Sequence, residues 1–399
     1  MAEIKNILYV SCLCSAPMMH HLFDTAEEKP HPAPQKYHSL MVKGIVANGG
    51  KVASLVALPV TVRSHPNKKW WGRKDEFIDG VHYIYIPFYN QPYIKFICFK
   101  IYAFFFSLNW AMHHKKNGVM ICDVLTVHSS ASAIACRILG VKTVGIVTDI
   151  PGMLSEKKRN IFQQLYNKYN INIIRRMSGF IPLTDAMCDI INPNRKKPYV
   201  VIEGLVDSTM EAQDPIIPKD GKRHITYTGT LDARYGVRTL IEAFMMLTQK
   251  DILLDIYGKG PMEKEIPRYV KEDSRIRFHG MVPIEEAVKA QRSSFLLVNP
   301  RPTKEEFTKY SFPSKNMEYM VTGVPLLTAV LPGMPKEYYP YVFLFEDESS
   351  VGITQKLHEI LTMPESLVHE KGYKGKAFVL KNKNNISQAQ QMMSLIKFE

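Results

Sequence analysis

A chain of 399 residues is long enough for two domains with full hydrophobic cores. Its 46% hydrophobic and 22% charged residues are ordinary for a globular enzyme, and the absence of any solenoid-period repeat or low-complexity tract excludes a repeat architecture. The net charge of +13 is not ordinary and points to an anionic partner: a sugar nucleotide, a lipid phosphate, a membrane surface or a nucleic acid.

The chain starts Met-Ala-Glu-Ile-Lys and runs straight into apolar residues, which fits no signal peptide. Ile7–Ser11 reads as a first buried strand. The loop after it holds Cys12, Cys14 and Ser15, then an insert with Met18, Met19, His20 and His21. Gln35–Ala47 reads as a helix ending at Asn48-Gly49-Gly50, and Lys51–Ala57 as a second strand. Val81–Pro87 alternates like a strand. Val124–His128 and Thr143–Asp149 read as two more, with helical Ala131–Leu139 between them. Phe180–Leu183 and Tyr199–Ile202 complete this half. Strands alternating with helices indicate a parallel sheet covered on both faces.

All six cysteines lie before residue 190, with no second pair at metal spacing. Most sit in apolar runs as small core residues, which suggests a reducing compartment without structural zinc or disulfides. Asp207–Arg223 carries Pro215, Pro218 and Gly221 among charged residues and reads as a linker. The pattern then restarts with strand Ile225–Thr228, helix Gly236–Thr248, strand Leu253–Tyr257 and helix Met262–Tyr269. Strand Ile276–His279, helix Ile284–Gln291 and strand Phe295–Val298 follow, then helix Ser314–Thr322, strand Pro325–Thr328 and a last helix near Ser387–Ile396. Two Rossmann-like halves of this kind bind ligands at the carboxyl ends of their strands.

The segment Lys309–Thr328 reads KYSFPSKNMEYMVTGVPLLT. A Ser-Phe-Pro-Ser turn precedes a helix, Glu318 falls in that helix's second turn, and Gly323 stops it. A helix N-terminus gathers unpaired N–H groups and roughly half a positive charge, so it seats an anion. A carboxylate one turn further in can accept both hydroxyls of a ribose. Phosphate seat and ribose acid together suit a sugar nucleotide.

This segment resembles the nucleotide-sugar motif of retaining glycosyltransferases of family 4, which have the GT-B fold. Many members carry Glu, seven residues, Glu; here the second is Glu318 and Tyr310 stands at the first. The FPSK…EYM…G.P form is similar to a branch that makes bacterial capsular and exopolysaccharide. The resemblance is strong over Ile225–Thr328 and one of layout over Lys5–Asp207. It implies a GT-B enzyme with an acceptor-binding domain at 1–207, a nucleotide-sugar domain at 208–375, and a terminal helix at 376–399 packing back on the first domain. It implies retaining transfer from a nucleotide diphosphate sugar, UDP- ahead of GDP-, with no dedicated protein nucleophile and no cofactor; the lack of a DxD-like metal site in a convincing context points to metal independence. Attack comes from the front face, and the enzyme works by positioning and by charge at the diphosphate.

Carried onto this chain, the donor residues are Gly229, Thr230, Gly258, Tyr310, Ser311, Phe312, Pro313, Ser314, Lys315 and Glu318. The family usually places Arg directly after the glycine of Thr228-Gly229-Thr230, and Lys five or six residues later. Those positions hold Thr230 and Tyr235 here, so Arg234, Arg301 and Lys315 are the candidate phosphate cations. Acceptor candidates are Cys14, Ser15, His128 and Asp149, the last standing where the family often has His at a strand end; Asp149, Arg234 and Lys315 are the catalytic candidates. Glu203-Gly204 stands where the family has Asn-Gly.

Tyr93–Trp110 is dense in aromatics and broken by Lys95 and Lys100; Trp70, Trp71 and several lysines lie upstream. No uncharged apolar run reaches the roughly 18 residues of a spanning helix. The mixture suits a helix lying in an anionic membrane interface. The resemblance implies a lipid-linked or oligosaccharide acceptor, with the protein cytoplasmic and peripheral at the inner face of the plasma membrane. Two other readings stay open: a nucleotide-sugar epimerase on the same fold, and a non-catalytic partner of another transferase. The basic and aromatic residues match no nucleic-acid module.

Overall fold

The structure is a computed structural model that describes residues 6–29, 33–152, 161–210 and 214–396. The chain divides into two compact units: residues up to 205 together with 385 onwards, and 206–384. The sequence placed these boundaries at 207/208 and 375/376.

The first unit holds β1 (Asn6–Ser11), β2 (Lys51–Val56), β3 (Trp70–Trp71), β4 (Lys74–Ile78), β5 (Val81–Tyr85), β6 (Phe88–Tyr89), β7 (Gly118–Asp123), β8 (Lys142–Val147) and β9 (Gly179–Pro182). Seven of these form one sheet in the order β4-β5-β2-β1-β7-β8-β9, and β3 with β6 forms a small antiparallel ribbon. The sheet is parallel except for β4, which runs against β5 at the edge.

The second unit holds β10 (Arg223–Thr228), β11 (Ile252–Tyr257), β12 (Ile276–Gly280), β13 (Leu296–Asn299), β14 (Leu326–Ala329) and β15 (Phe343–Phe345). They form an all-parallel sheet in the order β12-β11-β10-β13-β14-β15. Strand order reverses between β1 and β7 in one sheet and between β10 and β13 in the other. Chain leaving two neighbouring strands in opposite directions opens a crevice at their carboxyl ends. β13 and β14 are wholly buried, the continuous apolar pattern of strands covered by helices on both faces.

The structure corrects the sequence at several places. Val124–His128 is not a strand. The strand is β7, and Asp123 ends it: its carboxylate accepts from Leu125 N at 3.0 Å and its carbonyl from Thr126 N at 3.2 Å. Those turn bonds divert the chain into the Ser129–Ile138 helix. Tyr199–Ile202 makes only one bridge, Tyr199 to Phe180. Met262–Tyr269 is a 3-10 turn, Pro261–Lys264, followed by the helix Ile266–Glu272. Part of the expected linker is tied down: Ile216 N donates to Arg292 O at 2.7 Å, and Lys376 lies 3.3 Å from Asp214. Residues 211–213 of it lie outside the described residues.

The chain enters and leaves the second unit side by side. Val206 bridges Asn384, and its N–H donates to Lys383 O at 3.0 Å. The helix Asn385–Ile396 then packs on the Ala33–Ala47 helix of the first unit. Gly44 makes this approach close, since a Cβ there would run into the Asn385 carbonyl and the Ala389 side chain. Overpacking of this kind costs about 1–3 kcal/mol. Gly44→Val should therefore lower the urea midpoint of the first unit, followed by far-UV circular dichroism. An unchanged midpoint would mean that the terminal helix adds no stability.

Candidate functional site

The crevice of the second sheet is built around the turn Thr228-Gly229-Thr230 at the end of β10. Four side chains hold that turn. The Tyr227 hydroxyl donates to Thr230 O at 2.8 Å. The Tyr319 hydroxyl donates to Thr228 O at 3.0 Å and accepts from Thr228 N at 2.9 Å. Gln291 Nε2 donates to Thr228 Oγ1 at 2.9 Å. Lys315 Nζ donates to the Thr228 carbonyl. A Cβ on Gly229 would occupy the place of that ammonium, so only glycine lets the lysine lie on the turn. Gly258 after β11 has φ 135°, and a Cβ there would run into Gly229 O. The two glycine turns thus touch backbone to backbone.

Lys315 comes from the first turn of the Ser314–Val321 helix, which begins at Pro313, a residue with no side chain to cap it. Buried Asn299, the last residue of β13, donates to buried Asn316 Oδ1 at 2.7 Å. This bond pins the helix start to the mouth of the crevice. Burial depresses the Lys315 ammonium to about 8, while Glu318, exposed one turn on, favours its charged form. Two residues past Asn299 lies Arg301, half-buried. Its guanidinium packs 4.7 Å from the Phe307 ring centroid and 5.6 Å from that of Tyr235, and its Nη2 donates to Ser311 Oγ at 3.1 Å. Burial lowers its pKa. Its Nε is buried and finds no hydrogen-bond acceptor among the described residues. A desolvated N–H of a cation left unmatched calls for an anion.

Both cations flank Tyr227: the ammonium lies 5.5 Å from its ring centroid, and the Arg301 charge acts on its hydroxyl. Arg234 is placed differently. Its guanidinium grips Asp232, with Nη2–Oδ2 at 2.9 Å and Nε within 3.3 Å of both carboxylate oxygens, and it is exposed. Its charge is thus shared with a carboxylate of its own loop, unlike those of Lys315 and Arg301. Thr230 and Ser314 are exposed and Tyr310 is half-buried at the end of the 3-10 turn Glu306–Tyr310. Pro313 is buried, and buried Phe312 packs on Tyr338 at 5.3 Å, which anchors the turn before the helix. Behind the crevice, buried Asp255 accepts from His224 Nδ1 at 2.5 Å and His279 Nε2 at 2.7 Å, joining β10, β11 and β12. Despite its burial, these two imidazoles hold its carboxyl down to about 2.

In the first unit, Ser15 is buried and spent on structure. Its hydroxyl accepts from Met18 N at 3.2 Å as a helix cap, donates to Glu76 Oε2 at 2.6 Å, and lies 3.0 Å from the Tyr85 hydroxyl. Cys14 is buried, and burial raises its thiol pKa far above the usual range. His128 is fully buried at the start of the Ser129–Ile138 helix, with Nε2 3.3 Å from Leu55 O and a pKa pushed down to about 4. All three of these expected acceptor residues are buried in the first unit. Asp149 is half-buried two residues past β8; Ile150 N donates to its Oδ1 at 2.7 Å, and burial raises its carboxyl. Sequence reading missed the buried Tyr9–His38–Asp123 chain, where His38 lies 2.7 Å from the Tyr9 hydroxyl and 3.3 Å from Asp123 Oδ2. It also missed Tyr227 and Tyr319. Their only signal is a tyrosine one residue before a strand-end turn and another beside Glu318.

Residues 222–363 match the family described as glycosyl transferases group 1. Over its length the chain is similar to sucrose-phosphate synthase (tll1590) from Thermosynechococcus elongatus, at 15% identity, a TM-score of 0.62 and 98% coverage of both chains. It is similar to Anabaena Alr3699/HepE in complex with UDP, at 14% identity and 0.60, over 98% of this chain and 99% of that one. It is also similar to alpha,alpha-trehalose-phosphate synthase (UDP-forming) from Burkholderia vietnamiensis, at 10% identity and 0.61, over 99% and 100%. The fold is GT-B. No curated protein matches the sequence.

The depressed ammonium sets a pH signature. Lys315 is charged below about 8 and loses its proton above. Affinity for a nucleoside diphosphate, measured by calorimetry, should fall as pH rises through about 8. Lys315→Met should bind at least about tenfold more weakly at pH 7, the size of a charge-assisted hydrogen bond. It should also lose the alkaline decline, and a decline that persists in this variant would remove Lys315 from the site.

Proposed function

We propose that this protein is a retaining glycosyltransferase that moves a hexose-type sugar from a nucleotide diphosphate sugar to a glycan or lipid-linked acceptor in cell-surface polysaccharide synthesis. The carrying observation is the desolvated pair Lys315 and Arg301 at the crevice of β10 and β13, with Glu318 one turn along the same helix. As the glycosidic bond breaks, negative charge grows on the leaving diphosphate, and two cations already stripped of water stabilise it strongly. The open first turn of the Ser314–Val321 helix adds N–H groups and dipole. Glu318 accepts the ribose hydroxyls. With two protein cations at the phosphates, the reaction needs no metal, so transfer should persist in EDTA.

UDP is favoured over GDP because one GT-B relative is described with UDP and another as UDP-forming. Asp149, a carboxylate raised by burial in the first unit, is the group proposed to accept a sugar hydroxyl. The FPSK…EYM…G.P form supports the polysaccharide setting.

The test is thermal stabilisation by UDP, GDP, ADP and CMP at millimolar concentration, since a ligand of the folded state raises the midpoint by mass action. UDP should raise it and the others should not; a shift with GDP alone moves the donor class. Glu318→Ala should remove the shift and cut transfer by at least about tenfold, the cost of losing a charged hydrogen-bond partner. No shift with any nucleotide would overturn the reading in favour of a non-catalytic role, and full transfer in Glu318→Ala would remove Glu318 from the donor site.

A further inference from the structure

The helix Ile94–His114 has two apolar faces. One is buried: Phe99, Ala103, Ser107, Trp110 and Ala111 pack toward the Ser129–Ile138 helix. The other carries Ile94, Ile97, Ile101, Phe105 and Met112, a single stripe along the helix, each between 48 and 63% exposed. Beside that stripe runs a groove of about 460 Å³ lined by Pro87, Ile97, Ile101, Tyr102, Phe105 and Phe106. Large apolar side chains in one exposed stripe mark a contact surface.

The helix is long and apolar enough to cross a membrane. Its inner face is nevertheless packed on the unit, and crossing would strip that face of its partners. It therefore lies along the surface. Around it sit amphipathic rings: Tyr93 is 80% exposed, and Trp70 is 61% exposed on the β3–β6 ribbon. That ribbon is fixed to the helix by Phe88 against Phe99 at 5.0 Å. Arg73 donates to Asp75 from Nε at 2.8 Å and Nη2 at 2.7 Å and also reaches the hydroxyl of Tyr102, a groove residue. Between residues 60 and 117 the sequence has nine Lys or Arg against three Asp or Glu. Such a surface repels a second copy of itself and attracts an anionic one.

We propose that this face seats on an anionic phospholipid bilayer. A lipid hydrocarbon chain enters the groove, Trp70 and Tyr93 stand at headgroup depth, and the nearby lysines meet lipid phosphates. The proposal stands on the first unit alone and does not depend on the donor site.

The test is co-sedimentation of the full chain with vesicles of phosphatidylcholine alone or mixed with phosphatidylglycerol. All three tryptophans lie in this unit, so their emission reports on it directly. Wild-type protein should sediment with the mixed vesicles only and leave them at roughly 0.5 M salt, where screening is short-ranged. Its emission should shift to the blue and be quenched by brominated lipid, and Trp70→Phe should remove most of that change. The double variant Ile101→Ser with Phe105→Ser should partition at least about tenfold less, given two apolar side chains withdrawn. It should keep the wild-type melting midpoint and nucleotide shift, which separates this result from any failure of the donor site. Wild-type protein that stays in solution with both vesicles, or a double variant that binds like wild type, would overturn the proposal. So would a wild-type dimer, free of vesicles, that the double variant converts to a monomer.

Discussion

An ammonium lying on a backbone carbonyl at the end of a parallel strand is the arrangement around which the second unit is organised. For Lys315 to reach Thr228 O, the turn must contain a residue without a side chain, and Gly229 supplies it. The turn must also hold still, and Tyr227, Tyr319 and Gln291 each fix it from a different element. The helix that delivers the lysine must start at one point, and the Asn299–Asn316 bond sets that point. Burial then makes the charge costly, which stores electrostatic readiness for an anion that water alone would not provide. The strand order 3-2-1-4-5-6 is what brings all these pieces to one crevice.

Much of this was legible in the sequence. Glu318 and Lys315 sit in one short segment whose spacing already defines a turn, a helix start and a carboxylate one turn later. The alternation of short apolar runs with helical stretches gave both parallel sheets, because strands buried on two faces read as continuous apolar segments. What stayed hidden was how individual loops and turns close. Arg234 and Arg301 look equivalent as loop arginines. Only the fold shows that one grips Asp232 while the other is pressed between Phe307 and Tyr235. His128 reads as the end of an apolar run, yet the Asp123 turn ends the strand early and places the ring inside.

The first unit departs from an ideal doubly wound domain at one edge. There β4 turns antiparallel, and a two-strand ribbon next to it in the chain packs on the aromatic helix. Ser15, Glu76 and Tyr85 knit the loop after β1 to this edge, so residues that could have met a ligand act as fasteners. The aromatic richness of the sequence is therefore concentrated where the unit has least internal use for it.

The adjacency of Val206 and Asn384 has a consequence for synthesis on the ribosome. Residues 206–384 are a single uninterrupted segment whose ends meet, so the second unit has all of its chain before the last helix emerges. The first unit does not: the Asn385–Ile396 helix that covers Gly44 arrives only at the end. The unit begun first is thus completed last, and until then its Ala33–Ala47 helix lacks the surface that it packs against.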